Sequence, residues 1–154
     1  RTNHRKGVFA LSSPTTEVIV RHEGGLAFAA KGPSGHEIRM DAAPDVGGGD
    51  SAARPREMLL AALGGCSGID VAIILNKMRV DYEGFEMRIH GRRAEEHPKI
   101  YTSIDVEDVF RGKDLAAQRN KLEKAARLSF EKYCSVAGML NKAAEMTYRV
   151  TIEE

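Results

Sequence analysis

Tryptophan is absent from this 154-residue sequence, and aromatic residues of all kinds make up only 6% of it. Proteins that grip single-stranded nucleic acid stack bases on aromatic faces, so that function is unsupported. Charge of one sign is not in excess either: 23 Lys and Arg stand against 22 Asp and Glu, a net of +1. The two signs are interspersed, without the basic stripe that nucleic acid requires. Cysteine is scarce as well. Cys66 and Cys134 are too few for a disulfide framework and too far apart for a CxxC pair or a zinc knuckle. Only the fold can make them meet. His22, His36, His90 and His97 offer no short metal-ligand spacing and make a weak case for a metal.

Long apolar runs are limited to one, "MLLAALGGCSGIDVAIIL". Its length is borderline for a membrane span, and Asp70 inside it would be costly in lipid. A helix buried in a soluble protein is expected, with no membrane partner. The opening "RTNHRKGVFALSS" carries basic residues but not the apolar stretch of a secretory leader. The expected location is the cytoplasm. A chain of this length suits one domain, residues 1–154, with about 1–14 as a disordered N-terminal extension.

The remaining patterns sort into elements. "EVIV", "LAFAA" and "HEIRM" are separated by glycine-containing turns and read as an antiparallel meander with one buried face. "APDVGGGDSAARP" reads as a long loop of the kind that is often functional or mobile. A helix is expected from Pro55, at a favoured first position, to about Arg79. It is apolar nearly all round, the mark of a helix enclosed by protein. Two alternating strands follow, "YEGFEMRIHGRR" and "KIYTSIDVEDVF". Asp114 is placed to cap the next helix, on which Leu122, Ala126, Ser129 and Tyr133 share a face. Ser135 can cap a short second helix, and "MTYRVTIEE" closes the chain as a strand. Antiparallel strands with helices packed on them give an α+β class.

The glycines flanking Cys66, at positions 64, 65 and 68, weaken a helix by roughly 1 kcal/mol each relative to alanine. They suggest that another segment approaches the thiol closely. The reactive form of cysteine is the thiolate. Cys134, just ahead of a helix, has free N–H groups at hand to lower its pKa; Cys66, in mid-helix, would need a cation. If Cys66 were oxidised by a peroxide to the sulfenic acid, Cys134 could condense with it. The plainer alternative remains open: a lone cysteine in an apolar helix is more often a small inert hydrophobe. Glu57 at the helix start is more often a dipole partner than an acid or base. Asp70, if buried, needs a partner, most simply a cap or an ion pair.

"PREMLLAALGGCSGIDV" and "EKYCSV", together with the order of strands and helices, resemble the OsmC/Ohr superfamily of osmotically inducible and organic hydroperoxide resistance proteins. "MDAAPDVGGGDSAARPREM" and "RAEEHPKIYTSIDV" are most similar to its YhfA-like branch. The resemblance implies antiparallel sheets wrapped around central helices in an intertwined homodimer. It also implies reduction of organic hydroperoxides, with Cys66 peroxidatic and Cys134 resolving. No metal or flavin cofactor is implied; a dithiol reductant, lipoyl-type or thioredoxin-like, would restore the thiols. In the family a glutamate directly follows the helix-starting proline and holds an arginine near the thiol. Here Arg56 follows Pro55, and Glu57 and Arg21 are the nearest candidates for those roles. The family's second cysteine usually precedes proline; here it precedes Ser135. The expected function is a two-cysteine thiol peroxidase. Leu59, Leu63, Ile69 and Met139 are expected to line an apolar approach. A stress-associated binding protein with idle cysteines and a redox sensor without turnover are the alternatives.

Overall fold

The computed structural model describes residues 15–154; the expected N-terminal extension lies outside them. The chain divides into two units, one ending at Pro55 and the other running from Arg56 to Glu154.

The N-terminal unit is a three-stranded antiparallel meander of β1 (Ile19–Gly24), β2 (Ala27–Lys31) and β3 (Glu37–Met40), in that order. β1 begins two residues later than the apolar pattern suggests. It is exposed along its whole length, with burial confined to Ala29 and Ala30 on β2. The glycine-rich loop is tied down rather than loose. Asp41, only 3% exposed, accepts hydrogen bonds from the Ala42 N–H (2.7 Å), the Ser51 N–H (3.1 Å) and the Ser51 hydroxyl (2.7 Å). The Ser51 bonds hold its carboxyl well below the usual aspartate range. Gly48 is required by space, since a methyl group there would overlap the Ala42 carbonyl.

The second unit holds a sheet in the order β4 (Gly84–Arg93), β5 (Tyr101–Arg111) and β6 (Glu145–Glu153). β4 and β5 are antiparallel, as expected. β6 runs parallel to β5, so this sheet is mixed. A parallel return needs a long crossover, here supplied by α2 (Arg119–Leu128) and α3 (Ser135–Leu140). β5 alternates inward Ile104, Val106, Asp108 and Phe110 with outward Asp105 and Glu107. The outward pair meets Arg149, Thr147 and Thr151 of β6.

The helix α1 spans Pro55–Lys77. By length and composition alone it could cross a membrane, a test that the core helix of a globular domain also passes. Leu63, Ser67, Val71 and Leu75, spaced at one helical turn, are its buried stripe. Val71 and Leu75 join Phe110, Leu115 and Leu122 in one core cluster, where Phe85 stacks on Phe110 at 4.5 Å. Leu63 joins Ile104, Val106, Cys134 and Ala137 in another. The other apolar side is not enclosed by this chain: Leu59, Ile69 and Ile73 are exposed.

Candidate functional site

The two cysteines meet at the start of α3. Cys66 lies half-way along α1, half-buried, and Cys134 is buried at 5% exposure. Both sulfurs and a carboxylate oxygen of Asp70 lie within 4.8 Å of one another. Cys66 and Asp70 stand one turn apart on α1, so their side chains share a face. Cys134 is brought to that face from the other direction by a local irregularity. After α2 the chain widens into a π-helical turn, Ser129–Tyr133, closed by a 2.7 Å bond from the Cys134 N–H to the Ser129 carbonyl. The extra residue per turn breaks the α-helical phase. Leu122, Ala126 and Ser129 are buried as their spacing predicts, while Tyr133 is rotated out and half exposed. The face drawn from α-helical spacing thus ends at Ser129.

Capping differs from expectation at two places. Asp114 adopts a left-handed backbone and makes no side-chain cap bond; a 3₁₀ turn, Leu115–Gln118, leads into α2 instead. Cys134 itself, not Ser135, is the cap of α3, its sulfur accepting from the Ala137 N–H at 3.3 Å.

That arrangement reverses the expected electrostatics. Burial raises the Cys66 thiol, but N–H donation from Val136, contact with Cys134 and the Ser135 hydroxyl (3.8 Å away) together outweigh it. The net effect lowers its pKa. Cys134 is buried more deeply and beside a sulfur that ionises more readily; its pKa is pushed up to about 11, despite the Ala137 N–H. The amides of one short helix therefore serve the cysteine on the other helix. Among the described residues, the groups that lower the Cys66 pKa are backbone amides, a hydroxyl and the second thiol.

The glycines also have a different use. A methyl group at Gly64 would come within 2.8 Å of Ile89, and one at Gly68 within 3.2 Å of Met87. The segment they admit is β4 of the same chain. Gly64 and Gly68 lie two residues either side of Cys66, about 200° around the helix, so they thin the side of α1 away from the thiol.

Asp70 is held by a hydroxyl pair. Ser129, fully buried, lies 3.2 Å from the Asp70 carboxylate and 2.8 Å from the Ser67 hydroxyl, itself 3% exposed. Asp70 also lines a groove of about 460 Å³ with Ile73, Ile74, Met78, Leu128 and Tyr133, and with Lys77 and Lys124. Of the residues expected to line an apolar approach, Leu63 is instead fully buried, whereas Leu59, Ile69 and Met139 are exposed.

Two candidates remain, Glu57 and Arg21. Glu57 sits in the first turn of the uninterrupted α1, about 14 Å along the axis from Cys66 and about half a turn around it. Arg21 lies exposed on β1, opposite Ala29, in the N-terminal unit. Asp70 is the site residue that spacing signalled most plainly, one turn from Cys66, though its company of two sulfurs was not foreseen. Ser129 gave no signal beyond its place on an apolar face.

The class that the fold defines is a mixed α+β unit whose central helix carries one thiol close to a second on the crossover. The OsmC-like protein family model matches residues 47–149, and the chain belongs to that family. It is similar to Protein YhfA of Escherichia coli K12, 44% identical over 124 residues, covering 80% of this chain and 88% of that protein. A crystal structure of a hypothetical protein from Aquifex aeolicus VF5 is 34% identical with a TM-score of 0.75, covering 92% of this chain and 100% of that one. An organic hydroperoxide resistance protein from Elizabethkingia anophelis shares the fold (TM-score 0.65, 12% identity, 93% and 99% coverage).

Proposed function

We propose that the protein is a thiol peroxidase acting on organic hydroperoxides through Cys66 and Cys134. The observation that carries this reading is the meeting of two sulfurs from remote segments at one helix start, with the more exposed of them favoured as thiolate. The Cys66 thiolate attacks the outer oxygen of ROOH. The S–O bond forms, the O–O bond breaks, and the departing alkoxide takes a proton to become ROH. The Cys134 sulfur then attacks the Cys66 sulfenic acid. The S–S bond forms, the S–O bond breaks, and hydroxide leaves as water with the proton that Cys134 gives up. Asp70, near both sulfurs, is placed to carry that proton. A disulfide needs the sulfurs at about 2.05 Å, so side-chain rotation must close the separation. A dithiol reductant returns both thiols.

The apolar groove beside Asp70 suits a hydroperoxide with a hydrocarbon body. Activation in this reading comes from the α3 amides, with no required contribution from Glu57 or Arg21. A second copy covering the exposed Leu59, Ile69 and Ile73 would complete the homodimer expected from the family resemblance. A dithiol-rich cytoplasm is the compartment in which the cycle would turn over.

The test is consumption of cumene hydroperoxide in the presence of dithiothreitol. Turnover is expected in the wild type and none in Cys66→Ser. Cys134→Ser should accumulate a dimedone-reactive sulfenate on Cys66. A single round of disulfide formation without turnover would favour a sensor. A Cys66 that peroxide leaves reduced would sink the redox reading altogether.

A further inference from the structure

We propose that Cys66, Cys134 and Asp70 form a three-ligand site for Zn²⁺ in the reduced protein. The three donor atoms already lie within 4.8 Å of one another. Zinc takes sulfur at about 2.3 Å and carboxylate oxygen at about 2.0–2.2 Å, so donors on a tetrahedral ion sit roughly 3.5–3.8 Å apart. The ligands need to draw in by about 1.3 Å at most. Two sulfurs exclude calcium and magnesium, which prefer all-oxygen shells. The carboxylate beside them favours zinc over copper(I), which is selected by soft sulfur ligands. Three protein ligands leave one position for water, the usual form of an open zinc site.

The surroundings have the character of an outer shell. Ser129 holds the carboxylate and is itself fixed by Ser67, both buried. The Ala137 N–H is bonded to the Cys134 sulfur, and the Val136 N–H reaches Cys66. These donors orient the ligands and spread the charge that two thiolates and a carboxylate would place on the metal. Zinc held this way occupies both sulfurs. Resting on the peroxidase reading, its consequence is a reversible block: bound metal keeps the thiols from peroxide, and a chelator restores them.

The binding itself is tested without peroxide. The reduced full-length chain, stripped of metal, is titrated with Co²⁺ and then with Zn²⁺ in competition with a chromophoric chelator. One equivalent per chain is expected, with a thiolate-to-cobalt charge-transfer band that zinc abolishes. The disulfide form should not bind. Asp70→Asn should keep the band and weaken zinc by at least tenfold, since loss even of an outer-shell partner typically costs 10–100-fold. Ser129→Ala should weaken it while leaving all three ligands in place. Zinc-edge X-ray absorption on the wild type needs no variant and should show two sulfurs with oxygen or nitrogen neighbours. Unchanged affinity in Asp70→Asn, four sulfurs per zinc, or equal binding by the disulfide form would overturn the site. Zinc binding without hydroperoxide turnover would uphold the site and refute the peroxidase; turnover without zinc binding would do the reverse.

Discussion

Replacing Asp108 by asparagine should change how stability depends on pH. Asp108 lies on the inward side of β5 between Val106 and Phe110, at 2% exposure, and its Oδ1 has no hydrogen-bond partner among the described residues. Burial alone raises its carboxyl from the ordinary 3.8 to about 7. Between those values the folded chain holds a proton that the unfolded chain has released, so stability falls as pH rises. Below 3.8 both states are protonated and above 7 both are ionised, so the curve is flat at either end. At about 1.4 kcal/mol per unit, three units give an upper bound of about 4 kcal/mol. Asparagine carries no such dependence. Urea unfolding of both proteins from pH 4 to pH 8, taken as a difference, cancels the carboxylates they share. The variant should gain about 3–4 kcal/mol on the wild type across that range. Parallel curves, or a wild type that gains on the variant as pH rises, would show that Asp108 is solvated or paired.

Three further outcomes follow from the same contacts. Iodoacetamide should modify Cys66 at a pH below that needed for free cysteine, while Cys134 stays inert until pH nears 11; mass spectrometry of the two peptides reads this, and the reverse order would assign the roles wrongly. Ser129→Ala should cost about 1 kcal/mol in chemical denaturation, because it leaves the buried Ser67 hydroxyl short of a partner; an unchanged midpoint would mean that Ser67 finds another. Phe110→Ala, which empties the stack on Phe85 at the centre of a core cluster, should cost about 3–5 kcal/mol; a loss under 1 kcal/mol would place the core elsewhere.

The broad plan was legible because its signals are local. Pro55 and the apolar run announce α1, and alternation announces β4 and β5. The pairing of Cys66 with Cys134 could be raised from thiol chemistry, but no spacing links residues so far apart, and resemblance gave it its weight. What sequence missed was set by non-local geometry. Gly64 and Gly68 look like neighbours of the thiol, yet a helix turns them toward Ile89 and Met87. Cys134 looks like the beneficiary of α3, yet burial overrides it and the amides reach across to Cys66. The parallel placement of β6 depends on the path of α2 and α3, which alternation in "MTYRVTIEE" cannot reveal. The glycine-rich loop looked mobile because composition does not show that Asp41 will fold over it.

The π-helical turn at Ser129–Tyr133 makes the meeting of the sulfurs a matter of counting as well as of chemistry. Removing one residue there would rewind the segment toward ordinary helix and swing everything after it by about 100°. Every side chain of the centre would survive such a deletion, and the centre would be gone. A single-residue deletion scan across that turn therefore probes something that no alanine scan can reach: information stored in chain length.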